Sequence, residues 1–426
     1  MRGKSSVFIA AAMLIATALY ANGTKETTAS APKVQLTMGS WRTDDVQQAG
    51  AFLGVYEKSH PGVTIDFKPT NPPDYNATLR LQLASGTGPD LMYARSYDTG
   101  RSLYSDGYFA DVSDVPGLQT NFPEATRAPW AMSDGKSFAI PFLAVSHGIY
   151  YNKDIFAKVG VTVPTTWSEF LVTCQKLKDA GYAPIANSLG DEWDILEVFF
   201  CQLLPDFTGG RDGRLAYESG KTPWNDPKMV AAYQAALQLK PFLPKGFEAL
   251  SYNDSSALFA TEKAAMYFDG SWSIDNYKSV SFNWGVFSPP APAGQQTYSI
   301  FQPDSGMAMN SKTKYATQAK DFLAWLCTQS GASAEGQYLP KGFFPMINLP
   351  VTISDPHAQE FLALTREHPT DVRFPWPLLM NGTPSGYNLL QIGVISVLKG
   401  VMTPQQAADN LSTGLAKWYK PVPNPS

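Results

Sequence analysis

The chain has 426 residues, with 33 Lys and Arg against 37 Asp and Glu for a net charge of −4. Its basic residues are scattered singly rather than in runs, which argues against nucleic acid or an anionic lipid surface as a partner. A length beyond the ~250–300 residues at which single cores split predicts two domains.

Arg2 and Lys4 precede an apolar run from Val7 to Ala21, about 15 residues where a bilayer-spanning helix needs about 20. With Ala21-Asn22-Gly23 behind it, the segment 1–23 reads as a signal peptide cleaved after Ala21 or Gly23 rather than as a retained anchor. No cysteine follows the run to carry a lipid. Residues 24–33 are polar and read as a flexible tether. Export to the periplasm or another extracytoplasmic space is therefore expected.

Past the tether, Val34, Leu36 and Met38 alternate with polar residues, Val46 to Tyr56 carries a helical apolar pattern, and Val63, Ile65 and Phe67 alternate again. This predicts a βαβ unit with the loop Ser40–Asp45 at the carboxyl end of its first strand, where open α/β sheets bind ligands. A helix over about 75–85 leads to a short strand, Leu91 to Tyr93, and a second such loop, Ala94 to Asp98. Ile140-Pro141-Phe142 and Gly148 to Asn152 read as one long strand or a strand crossing between domains. Helix starts follow at Thr166-Trp167-Ser168-Glu169, Asp226-Pro227, Asp355-Pro356 and Thr403-Pro404. Short strands are expected at Ala265–Phe268, Gly285–Phe287 and Gly306–Met309. Alternation of strands and helices predicts an α/β fold with doubly wound, mostly parallel sheets.

Most signatures of chemistry are missing. Gly135-Lys136 and Gly220-Lys221 lack the glycine of a P-loop, and Gly86-x-Gly88 runs into Leu91 where a dinucleotide fingerprint needs a third glycine. The histidines His60, His147, His357 and His368 show no zinc spacing. Cys174, Cys201 and Cys327 are too few for a disulfide framework. Cys174 and Cys327 fall on apolar helix faces and read as core, and a Cys174–Cys201 bridge is left open. Neither a metal nor a cofactor is implied. The carboxylates Asp44, Asp45, Asp98, Glu192, Asp194, Asp269 and Asp304 all fall in candidate loops, and a glycosidase needs only two. Taken singly, each has a solvated or helix-capping role as its default. Aromatic content of 13%, with 10 Trp, against 16% charged residues suits a polar ligand with apolar faces.

The order of GSWRTDD (39–45), SGTGPDLMYARSYD (85–98), GKSFAIPF (135–142), GIYYNKDIFAKVGVTVPTTWSEF (148–170) and YFDGSW (267–272) resembles the extracellular solute-binding proteins of ABC transporters, the family that includes the maltose-binding protein. The resemblance runs over essentially the whole exported chain. It implies a two-lobed periplasmic-binding-protein (Venus-flytrap) fold, closing on a carbohydrate by hinge bending. Strand crossings are expected near 144–146, 300–306 and 327–331, which gives lobe 1 as 34–144 and 303–328 and lobe 2 as 145–302 and 329–426. Site positions carried over are Trp41, Arg42, Asp44, Asp45, Arg95, Tyr97, Asp98, Glu192, Trp193, Ser271, Trp272, Asp304 and Tyr387. In that division of labour, rings cover the apolar face of a pyranose and charged groups take its hydroxyls. Ala94 and Val145 stand where the maltose-binding member has a stacking ring and a cleft carboxylate. The resemblance therefore points to a mono- or disaccharide or related polyol, carried by a monomer to a membrane permease without catalysis. Two other readings remain: a polyamine or other cation binder of the same fold, and a secreted glycosidase using two cleft carboxylates.

Overall fold

Residues 33–421 are described by a computed structural model, so the expected signal peptide and nearly all of the tether lie outside the described residues. Its strands are β1 (Val34–Ser40), β2 (Val63–Pro69), β3 (Leu91–Arg95), β4 (Ile140–Asn152), β5 (Ala183–Ile185), β6 (Ala264–Gly270), β7 (Trp284–Phe287), β8 (Ser299–Met309), β9 (Phe344–Pro345) and β10 (Thr370–Asp371). The opening alternation is a parallel βαβ unit: Val34 lies opposite Val63 and Ser40 opposite Pro69. The helix between them, Val46–Ser59, buries Ala49, Phe52, Leu53 and Tyr56, the stripe its 3.6-residue period predicts. β3 joins β1 in parallel. β8 then runs antiparallel to β3, with Arg95 opposite Ser305.

Two strands serve both lobes. The first half of β4 pairs antiparallel with β8, with Ala144 opposite Pro303 and Ser146 opposite Phe301, and its second half pairs with β6 and β7. Ile140, Phe142, Leu143 and Val145 accordingly pack in one apolar core with Leu36, Phe52 and Met307. Ile149 packs in another, with Phe170, Phe199 and Leu203. Tyr150 belongs to a third cluster, beside the second, with Tyr277, Trp284 and Phe361. The sheet is continuous across the junction, in the order β2-β1-β3-β8-β4-β6-β5. Among the described residues, no flexible linker separates the lobes. Gly306 matters to this junction because a Cβ there would stand 2.5 Å from the indole nitrogen of the fully buried Trp130, so only glycine lets β8 lie against that ring.

The third crossing is not at 327–331. Thr328 caps a new helix, Gln329–Tyr338, by accepting the Gly331 N–H, and this helix folds back onto Val46–Ser59. Ala332, Ala334, Leu339, Phe343 and Ile347 all sit in the first core. Apart from Phe344, which turns into the third cluster, packing changes hands between Val351, against the first core, and Ile353, against the third cluster. The expected boundary at 328 thus cuts a helix pair whose apolar faces belong together. Cys174, Cys201 and Cys327 are all buried free thiols, and Cys174 and Cys201 lie in the second core with no bridge between them.

Candidate functional site

Where the lobes face each other, charged groups alternate along a chain of side chains. Arg95, at the end of β3, lays its guanidinium over the Trp41 ring at 3.5 Å from the centroid and points Nη1 toward Asp304, 3.6 Å away. Asp304, in β8, accepts a hydrogen bond from Arg373 Nη1 at 3.2 Å. The same nitrogen lies 3.1 Å from Glu197, and Glu197 accepts from the Tyr387 hydroxyl at 2.7 Å. Arg373 also donates through Nε to His147 Nε2 at 3.2 Å, while its backbone N–H is held by Gln302 Oε1 at 2.9 Å. Trp272 and Trp376 flank this guanidinium at 5.4 and 5.2 Å.

A second polar chain lies beside the first. The Trp272 indole N–H donates to the Tyr252 hydroxyl at 2.9 Å, which donates on to Asp269 at 3.1 Å and lies 2.9 Å from Ser273 Oγ. The Trp193 ring leans on Tyr252 with centroids 4.9 Å apart. Trp272 packs against the cores of both lobes. Across from these, Arg42 forms a two-point ion pair with Asp45 and lies over Phe343 at 5.0 Å.

Burial sets the charge states here. It raises the Asp269 carboxyl to about 7, against hydrogen bonds from Ser273, the Gly270 N–H and Tyr252 and the positive charge of Arg42. Burial also lowers Arg95, with Asp304 and Glu197 opposing that effect and Arg373 adding to it. His147 is pushed well below its ordinary value by burial and then by Arg373. It is therefore neutral, and because Nε2 accepts from Arg373, its proton sits on Nδ1.

A family model for bacterial extracellular solute-binding proteins matches residues 35–332. The chain belongs to that family. It is 26% identical over 283 residues to the multiple sugar-binding protein of Streptococcus mutans, covering 64% of this chain and 66% of the relative. It is also 26% identical over 264 residues to the maltodextrin-binding protein MdxE of Bacillus subtilis, covering 60% of each. The chain thus spans under two thirds of the length of these curated relatives. Among solved structures, the bacterial solute receptor AcbH, described as exclusive for β-D-galactopyranose, matches with a TM-score of 0.79 at 19% identity over 91% of this chain and 99% of that one. The family's two-lobed fold is the fold described above. No helix among the described residues is long and apolar enough to cross a membrane.

Of the site residues carried over from that family, Arg95, Asp304, Trp272, Trp193 and Tyr387 come together as described. Trp41 is a floor rather than an open platform. It is buried, edge-on to Tyr75 and Tyr93, and Arg95 covers one face. Asp45 serves Arg42, and Asp44 is exposed. Tyr97 and Asp98 stand to one side, where the Asn381 amide donates to the Asp98 carbonyl at 3.2 Å. Tyr97 adopts a left-handed φ of 58°, a strained conformation for a tyrosine, and burial raises the Asp98 carboxyl to about 6 against the pull of Arg101. Glu192 is exposed. Glu197, in the π-helical stretch Asp194–Phe200, faces Arg373. Ser271 is a strut: its hydroxyl donates to the Gly342 carbonyl and accepts from the Ser146 N–H. Ala94 and Val145 are core residues.

Sequence reasoning missed Arg373, Glu197, Tyr252 and His147, and assigned no role to Trp376. A signal for Arg373 and Trp376 existed in Val372-Arg373-Phe374-Pro375-Trp376-Pro377, where a lone base sits in an aromatic, proline-fixed segment. Tyr252 and Glu197 carried none, since the first opens a capped helix and the second sits in an apolar run.

Proposed function

We propose that this protein captures a sugar between its lobes outside the cytoplasm and hands it to a membrane permease of an ABC import system, without turning it over. The observation that carries this reading is the joint construction of one buried, polar, ring-lined cluster by both lobes. Arg95 and Trp41 come from one side, Asp304 from a shared strand, and Trp272, Arg373, Glu197 and Tyr387 from the other. A ligand touching all of these favours the closed arrangement over any open one, which is the differential binding that a capture-and-release cycle requires. Rings beside fixed donors and acceptors suit a pyranose, with its apolar face and hydroxyl edge. The relatives named for sugars support the same class.

The charges speak against a polyamine, because Arg95 and Arg373 stand at the centre of the cleft. They also speak against a glycosidase. Asp304 and Glu197 are ion-paired to one guanidinium, whereas glycoside hydrolysis needs two carboxyls in unlike environments. The test is isothermal titration of the exported chain with mono- and disaccharides, polyols and polyamines, each mixture being re-analysed for product. Saturable binding near one per chain by an unaltered sugar is expected. Sugar consumption, or binding of polyamines only, would refute the reading.

A further inference from the structure

The hydrogen-bond inventory around the two arginines is lopsided. Arg95 carries five N–H groups on a side chain only 14% exposed. Among the described residues its Nε is buried without a partner, and its approach to Asp304 at 3.6 Å lies beyond hydrogen-bonding range. Asp304 is also the nearer partner of Arg373, at 3.2 Å. Arg373 has Glu197 as well, so its guanidinium is hydrogen-bonded where that of Arg95 is not. The Trp376 ring lies 5.6 Å from the Arg95 guanidinium, and its indole N–H is likewise buried and unpartnered. His147 adds another such atom, Nδ1, which the Arg373 bond to Nε2 makes a donor. Around the two arginines, then, the unpartnered nitrogens Arg95 Nε, Trp376 Nε1 and His147 Nδ1 are all donors.

Buried donors are stabilised only by acceptors, and a guanidinium with unbonded N–H groups most of all by a planar anion that takes two of them at once. The stack on Trp41 fixes the plane of the Arg95 fork before any ligand arrives, so little rotamer freedom remains to be lost. A neutral sugar brings hydroxyls, which carry a proton for every oxygen and leave the donor surplus partly unmet. A carboxylate brings two acceptors and no proton.

We infer that the sugar taken by this cleft is acidic, a uronic acid or a short oligosaccharide containing one, and that Arg95 is the residue that reads its carboxylate; this rests on the sugar-capture reading above.

Titration of the exported chain with glucuronate, galacturonate and their disaccharides, against glucose, galactose and the matching neutral disaccharides, tests this directly. At least one uronate should bind roughly 100-fold tighter than its neutral counterpart, the ratio that one charge-assisted pair supplies. That ratio should shrink at high salt only modestly, because the pair is buried. Arg95→Gln should bring acid and neutral sugars to similar affinities, and Arg95→Lys should recover only part of the preference. Neutral sugars binding as tightly as every uronate would overturn the assignment and leave sugar capture standing. Succinate binding as tightly as the uronates would overturn it too, since the carboxylate alone would then suffice. Failure of both sugar classes would remove the inference together with the reading it rests on.

Discussion

Replacing Arg373 with methionine removes the hub of the cleft while keeping much of its volume. Its side chain is 4% exposed, and the carboxylates it pairs, Glu197 and Asp304, are 15% and 6% exposed. Solvent therefore does little to soften their loss. Breaking a buried ion pair from one side costs about 3–5 kcal/mol, mostly as the penalty on the charge left behind. Here two carboxylates are stranded, although Asp304 keeps Arg95 at 3.6 Å and Glu197 keeps the Tyr387 hydroxyl. A loss near the lower figure, about 3 kcal/mol, is the expected outcome. Urea unfolding at neutral pH, followed by far-ultraviolet circular dichroism, measures it as a drop in midpoint at constant slope. Adding Glu197→Gln and Asp304→Asn removes the stranded charges and should return at least half of the loss. A single variant within about 1 kcal/mol of the parent, the range of an exposed pair, would refute the reasoning. So would a triple variant no more stable than the single one.

Trp272→Ala should weaken sugar binding by roughly 10- to 100-fold in titration calorimetry, because the ring joins both lobes and anchors Tyr252; affinity unchanged would remove Trp272 from the site. The Asp269 carboxyl, raised to about 7 from 3.8 in the folded chain, means that the folded state holds a proton which the unfolded state has already released over that interval. Stability from this group is complete below about pH 4 and falls as pH rises to about 7, so Asp269→Asn should gain relative to the parent across that window, on the order of 4 kcal/mol by neutral pH. Urea midpoints at several pH values test the sign, and a variant whose deficit grows with pH contradicts it. Gly306→Ala should destabilise by about 1–3 kcal/mol through its clash with Trp130, read as a lowered thermal midpoint, and a midpoint equal to the parent's would mean that β8 shifts freely.

What could be read from the sequence was whatever local pattern dictates. The period-2 run at Val34–Met38 and the 3.6-residue stripe over Val46–Tyr56 each specify an element and a buried face, and together they specify a parallel βαβ unit with a loop at its carboxyl end. The start of the Trp167–Asp179 helix was equally plain, because Thr166 and Glu169 satisfy each other's backbone donors wherever they occur three apart. The third crossing was misplaced because nothing in the stretch from Cys327 to Gly331 says which core the next helix covers. That choice lies in the fit of Ala332 and Ala334 against a helix almost 300 residues earlier in the chain.

The same limit governs the site. Residues at strand ends, such as Trp41 and Arg95, follow from the rule that α/β sheets bind at their carboxyl edges. Arg373 and Glu197 obey no such rule, and reach the cleft through a proline-fixed segment and a π-helical turn. Yet they decide what the cleft can hold. With Arg95 alone, the inward face of the first lobe would be a bare cation. With Glu197 and Asp304 alone, the second lobe would suit a cationic ligand such as a polyamine. Arg373, set between the two carboxylates, removes the case for a cation and takes up their hydrogen-bonding capacity, leaving Arg95 with N–H groups still to be met. The residue that the strand-end rule does locate is therefore the one whose donors the ligand must meet, and the residues it misses are those that occupy the acceptors around it.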